Sequence, residues 1–128
     1  MKHKNISVDL GADGTNTLQI ADADSANDID GRGHESGKGL RKKVKAMDDV
    51  TWSAPPGSGL VIVFPFESPF TGAPLLIQGA TNAAGTAVEA VSTPVDPATL
   101  NGRYKYTVIL TPAGAPPVSE DPQIIVDN

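Results

Sequence analysis

The chain has 128 residues, with 13 glycines, 11 prolines and no cysteine, and its 10 basic and 15 acidic side chains give a net charge of −5. This length suits one domain, which we expect to span residues 1–128. The absence of cysteine excludes disulfides, thiolate metal sites and a cysteine nucleophile, and the acidic balance argues against a nucleic-acid partner.

No segment of the sequence has the pattern of a membrane span. The first residues are basic, as in a signal peptide, but Asp9 and Asp13 interrupt the region where an apolar core would follow. The longest apolar run, residues 60–66, is far shorter than the roughly 20 residues of a spanning helix. We therefore expect no membrane insertion. The cytoplasm is the favoured compartment, and a mature form without its leader is the alternative.

The N-terminal third alternates between strand patterns and a polar excursion. Residues 6–10 have the two-residue period of a half-buried strand, and residues 15–20 are its expected hairpin partner. The stretch at about 21–39 is rich in glycine and acidic side chains, which predicts a long exposed loop. Alternation resumes over 40–46, with Lys42 on the apolar face. We expect this strand at a sheet edge, where its ammonium reaches water.

The rest of the chain consists of short apolar segments separated by turn residues. The run at 60–64 is unbroken, which is typical of a strand covered on both faces. Prolines and glycines leave no window long enough for a helix. Seven to nine strands predict an all-β fold, a two-sheet antiparallel Greek-key sandwich. The other predicted strands are 50–52, 75–77, 86–91, 104–110 and 123–126, and loops are expected at 65–74, 94–102 and 112–122.

Three short segments resemble the cupredoxin family. Residues 44–52 combine a strand, an acidic turn and a V-x-W strand, and residues 102–106 resemble the G-x-Y-x-Y/F segment before the copper-ligand loop. Residues 121–126 resemble the last strand of cupredoxin-like bacterial domains. The resemblance implies a β-sandwich over the C-terminal two-thirds of the chain.

The copper ligands that this resemblance implies are missing. Val108 stands where the family has its cysteine and Thr111 where it has a histidine, while His3 and His34 match neither motif. A type-1 copper site needs a thiolate and two imidazoles. We therefore expect a degenerate relative without type-1 copper.

An immunoglobulin-like sandwich is the alternative. Leu100 and Tyr104 have the spacing of a tyrosine corner, in which a tyrosine hydroxyl bonds the backbone just upstream. The only tryptophan, Trp52, suits an inner strand of either fold. In both folds we expect Trp52 and Tyr104 to be core residues rather than ligand contacts.

The acidic loop offers the oxygen ligands that Ca²⁺ prefers. The spacing excludes an EF-hand, because Ala26 and Gly37 fall at two of its ligand positions. A looser Ca²⁺ site is the alternative to a solvated loop, and Ca²⁺ is the single cofactor considered. Its candidate ligands are Asp22, Asp24, Asp28 and Asp30.

A basic cluster follows the acidic loop, and its members are Lys38, Arg41, Lys42, Lys43 and Lys45. Their charges alternate between two faces, and no aromatic side chains lie among them. Protection of a sheet edge, or neutralisation of the acidic loop, is therefore expected in preference to binding of phosphate, nucleic acid or an acidic partner.

No catalytic constellation is evident in the sequence. There is no G-x-S-x-G elbow, and both histidines lie in segments expected to be mobile. Asp48 and Asp49 have the character of turn residues rather than a glycosidase pair. We therefore expect a protein that is not an enzyme.

Three phenylalanines lie among prolines in residues 64–70, namely Phe64, Phe66 and Phe70. If exposed, they form a rigid apolar anchor for a protein partner or for self-association; if buried, they cap one end of the sandwich. We predict a non-catalytic structural or protein-binding module. The alternatives are an accessory or decoration subunit of a larger assembly and a Ca²⁺-binding module.

Overall fold

The computed structural model describes residues 1–10, 18–24 and 41–128, and these residues form twelve strands and no helix. These residues therefore contain no helix that could cross a membrane. The all-β class is confirmed, with more strands than the seven to nine predicted. In chain order they are β1 (His3–Leu10), β2 (Leu18–Asp22), β3 (Arg41–Val44), β4 (Asp49–Ala54), β5 (Gly59–Val63), β6 (Leu76–Gln78), β7 (Ala80–Thr81), β8 (Val88–Val91), β9 (Gly102–Lys105), β10 (Thr107–Thr111), β11 (Val118–Glu120) and β12 (Gln123–Val126).

One layer is a five-stranded sheet in the order β2-β1-β4-β8-β7. β1 pairs antiparallel with β2, as the N-terminal alternation predicts, with Val8 opposite Ile20. β1 also pairs with β4 in the parallel direction. The prediction of a wholly antiparallel sandwich is therefore wrong, because strands distant in sequence meet here side by side.

The other layer consists of two smaller sheets, β11-β10-β5-β6 and β3-β12-β9. Tyr104 of β9 lies opposite Ile124, and Val108 of β10 lies opposite Glu120, so the pairing keeps one register through both sheets. The N–H of Tyr106 donates to the carbonyl of Pro122 between them, at 3.2 Å. The two sheets are thus halves of one bent layer.

Three sequence predictions about strands need correction. The predicted strand 104–110 is interrupted at Tyr106, where the layer bends and β9 gives way to β10. β11 lies within the predicted loop 112–122, because its polar residues pair with β10 at the edge of the sheet. Only alternate residues of β5 are fully buried, so residues 60–64 are not covered equally on both faces.

A single cluster of buried apolar side chains fills the space between the layers. At its centre Trp52 is fully buried, and its Nε1–H donates to the hydroxyl of Tyr106 at 3.1 Å. Tyr104 is also buried, and its hydroxyl donates to the carbonyl of Leu100 at 2.9 Å. The core positions of Trp52 and Tyr104, and the hydrogen bond that the Leu100–Tyr104 spacing predicts, are confirmed.

Candidate interaction surface

The loop between β5 and β6 buries two of its three phenylalanines and exposes the third. Phe64 and Phe70 are 0% and 1% exposed, whereas Phe66 is 83% exposed. Phe64 stacks on Tyr106 at 5.1 Å, and Phe70 meets Trp52 edge-on at 6.3 Å between ring centroids. Phe64 and Phe70 therefore cap one end of the core, and Phe66 is the ring available to a partner.

Hydrogen bonds fix this loop on both sides of Phe66. The N–H of Phe64 donates to the carbonyl of Leu75 at 2.8 Å. The carbonyl of Pro69 accepts from the N–H of Asp96 at 2.9 Å and from the hydroxyl of Thr99 at 3.0 Å. The buried rings and these hydrogen bonds fix the loop backbone, so the Phe66 side chain stays exposed to solvent.

Two shallow depressions meet beside Phe66. The smaller depression, of about 180 Å³, is lined by Phe66. The larger depression, of about 360 Å³, is lined by Leu100, which is 80% exposed. Both depressions share Glu67, Arg103 and Tyr104. Burial and the negative charge of Glu67 raise the pKa of Tyr104, so this hydroxyl stays neutral. We define the Phe66 surface as Phe66, Glu67, Leu100, Arg103 and Lys105.

The basic cluster is divided by the fold. β3 is an edge strand, as predicted, but Lys42 is fully buried, so the expectation that its ammonium reaches water is wrong. It turns instead toward the carboxylates of Asp22 and Asp24. Arg41 is half-buried beside it on β3, and Lys38 lies outside the described residues.

Lys43 and Lys45 line a groove of about 520 Å³ together with Lys2 and Lys4 of the N-terminal segment. Asp48 joins the two segments, because its carboxylate accepts the N–H of Lys2 and that of Lys45, each at 2.9 Å. Asp127 lines the same groove and Lys4 is itself buried, so the lining carries charges of both signs. The sequence did not reveal Lys2 and Lys4 as members, since the parallel β1–β4 pairing brings them there.

Two of the four candidate Ca²⁺ ligands are engaged with lysine. The Lys42 ammonium contacts the carboxylate of Asp22 and lies 3.0 Å from Asp24 Oδ2. Burial acts to raise the pKa of Asp24, but hydrogen bonds from Asn5 and from Lys42 outweigh it, so this pKa lies below its usual value. Asp28 and Asp30 lie outside the described residues, and residues 1–10, 18–24 and 41–128 hold no group of three metal-ligating side chains.

The two positions that the cupredoxin resemblance assigns to copper ligands lie on β10, in a different sheet from His3, the one histidine among the described residues. Val108 is buried in the core, and Thr111 is exposed at the end of β10. His3 is largely exposed on β1, where Nδ1 contacts the carboxylate of Asp49 at 2.8 Å. His34 lies outside the described residues.

No protein-family model matches the sequence, and no curated protein matches it. The functional assignment therefore depends on the residues themselves. Sequence patterns singled out Phe66 but missed Leu100, which an irregular connection places beside the same depressions. The available signal was its position just upstream of the predicted tyrosine corner.

Proposed function

We propose that the chain is a non-catalytic structural module that associates with a second copy of itself through the Phe66 surface. The observation that carries this proposal is a phenylalanine 83% exposed on a loop anchored by two buried rings. Burying such a side chain contributes about 1.5–3 kcal/mol. Because the loop is already ordered, association costs little additional conformational entropy.

Charges of both signs around Phe66 favour a second copy over another partner. Glu67 is acidic, Arg103 and Lys105 are basic, and all three are exposed. In a two-fold symmetric contact the same surface meets itself, so the acidic side of one copy faces the basic side of the other. A rim of mixed sign is complementary to itself, whereas a strongly charged partner would favour a rim of one sign.

We further propose that the fold is a two-sheet Greek-key sandwich of the immunoglobulin-like or cupredoxin-like type. The hydrogen bond between Tyr104 and Leu100 supports the first alternative. The acidic turn at Asp48 and Asp49, leading into the Trp52 strand, supports the second. Both alternatives give a scaffold with its loops at the ends, where Phe66 lies.

The mixed-sign rim favours self-association over the accessory role, and the contacts of Lys42 argue against the Ca²⁺ module. An accessory or decoration subunit would use the same exposed Phe66 ring but bind a different protein partner. A Ca²⁺ module would have to withdraw Asp22 and Asp24 from the Lys42 ammonium, which leaves a buried cation without its partners. Self-association therefore remains the preferred function.

Light scattering at two protein concentrations tests this proposal. We expect the mean mass of the native chain to rise with concentration, and the Phe66→Ser variant to remain a monomer. Val91→Ser is the matched control, because Val91 is 55% exposed on β8 and lines neither depression beside Phe66. It should associate as the native chain does.

Two results would contradict the proposal. A native chain that stays monomeric at both concentrations excludes self-association and favours a partner of another kind. Equal loss of association in Phe66→Ser and Val91→Ser would show that the contact does not depend on Phe66.

A further inference from the structure

Lys42 and Asp22 bring two edge strands together in the interior of the protein. Lys42 lies on β3, at the edge of the three-stranded sheet, and Asp22 ends β2, at the edge of the five-stranded sheet. Their side chains are 0% and 3% exposed, and the ammonium contacts the carboxylate. Asp22 Oδ2 is buried and has no hydrogen-bond partner among the described residues.

This arrangement is costly as an ion pair. Two charges removed from water lose their hydration, and a buried pair recovers that loss only when its remaining hydrogen-bonding capacity is also satisfied. Because Oδ2 of Asp22 has no hydrogen-bond partner among the described residues, part of the lost hydration energy is not recovered. A reaction that converts the ammonium and the carboxylate into a neutral group would remove both charges from the interior.

We propose that Lys42 and Asp22 condense to an amide that links β3 to β2 covalently. After the ammonium has lost a proton, the Nζ lone pair attacks Cγ of Asp22, an N–C bond forms, and the C–O bond to the protonated oxygen of the carboxyl group breaks. The departing oxygen takes two protons from the ammonium and leaves as water. One ammonium and one carboxylate thus give one amide and one water, with no other reactant.

Asp24 is placed to move the protons. Its Oδ2 lies 3.0 Å from Lys42 Nζ and also accepts the N–H of Asn5 at 2.6 Å, while its Oδ1 accepts the side-chain amide of Asn5 at 2.9 Å. These bonds fix a carboxylate beside the amine, where it can take a proton from nitrogen and return it to the departing oxygen. Asp24 ends the reaction as it began.

Proximity lowers the barrier to this condensation relative to the same two groups in free solution. Groups held in reactive geometry behave as if present at effective concentrations of roughly 10⁵–10⁸ M. Burial also limits access of the water that would reverse the condensation. The product is a covalent loop joining residues 22 and 42, so a single backbone cut at 23–41 would leave the chain in one piece.

The intact mass of the purified full-length chain, measured after denaturation, tests the proposal. We expect a mass one water molecule below that of the sequence, and a proteolytic fragment in which Asp22 and Lys42 are joined. Lys42→Arg keeps the charge but removes the reactive amine, and it should show the full mass. A native chain with the full mass would overturn the proposal, whether or not any variant folds.

The Asp24→Asn variant tests the proton-transfer role separately. We expect the mass deficit to develop more slowly or to remain incomplete, in a chain whose circular dichroism matches the native one. Formation of the link at the native rate would overturn the role of Asp24. The mass measurement is independent of Phe66, so its failure and that of self-association are distinguishable.

Discussion

Tyr106 shows how a single polar atom organises the core. Its ring stacks on Phe64 and meets Trp52 edge-on, and its hydroxyl accepts the hydrogen bond from the indole. Burial raises the pKa of this hydroxyl far above its usual value, so it stays neutral. The indole N–H thereby has a partner inside the core, where no water is needed to satisfy it.

Tyr106→Phe should lower the free energy of unfolding by about 1–3 kcal/mol, because it leaves the indole N–H buried without an acceptor. Tyr104→Phe is the matched control. Its hydroxyl bonds the carbonyl of exposed Leu100, which water can satisfy, so its loss should cost about 0.5–1.5 kcal/mol. Urea unfolding followed by Trp52 fluorescence measures both. A larger loss in Tyr104→Phe would contradict this ranking.

Residue-scale chemistry was also where the sequence was least informative. Alternation placed Lys42 correctly on the inward face of an edge strand, yet it gave no sign that carboxylates would meet it there. Asp22 and Asp24 lie some twenty residues away, and the sequence indicates only that the basic cluster could neutralise the acidic loop, not which side chains would pair. A pairing between two sheets leaves no periodic signal, so only the fold reveals it.

At the scale of elements, the link between β6 and β7 continues the pairing with β5 and passes close to β8. The N–H of Gly79 donates to the carbonyl of Leu60 at 2.7 Å. A Cβ at residue 79 would lie 2.9 Å from the Leu60 Cβ and 3.0 Å from a methyl of Val88. Only glycine allows this contact without displacing a neighbouring strand.

Gly79→Ala should therefore lower the free energy of unfolding by about 1–3 kcal/mol through overpacking. Gly59→Ala, on β5 itself, is the control, because its Cβ would meet nothing closer than 3.4 Å at Thr111. Thermal unfolding of the two variants measures the difference. Equal stability of both would show that the layers are farther apart at residue 79 than the structure indicates.

Most strands were predictable because one face of each is buried and the other is not. Alternation located β1, β4 and β12 within a few residues of their bounds. It missed the bend at Tyr106, since buried residues alternate through β9 and β10 without a break. It also missed β11, whose edge position requires little apolar character.

At the scale of the whole molecule, the loop between β5 and β6 contributes Phe64 and Phe70 to the core and Phe66 to the surface. Phe70→Ser should lower the free energy of unfolding by about 3–5 kcal/mol, because it leaves a cavity beside Trp52 and Phe64. Phe66→Ser should change it by no more than about 0.5 kcal/mol, since that ring touches mostly solvent. Chemical denaturation measures both. Comparable losses would show that Phe66 is part of the core.

The candidate surface was predictable only in part. The spacing of phenylalanine and proline in 64–70 indicated a special loop, but not which ring is exposed. That depends on the tertiary fold, which packs Phe64 on Tyr106 and Phe70 on Trp52 and leaves Phe66 exposed. Leu100 and Arg103 join Phe66 through the tertiary fold alone.

The central claim is that copies of this chain meet through the Phe66 surface. A dilution series followed by amide chemical shifts in nuclear magnetic resonance tests it most directly. We expect concentration-dependent amide shifts at 66–68 and 99–105, and none around the lysine groove. Shifts confined to Lys43 and Lys45, or a spectrum that does not change on dilution, would contradict the account.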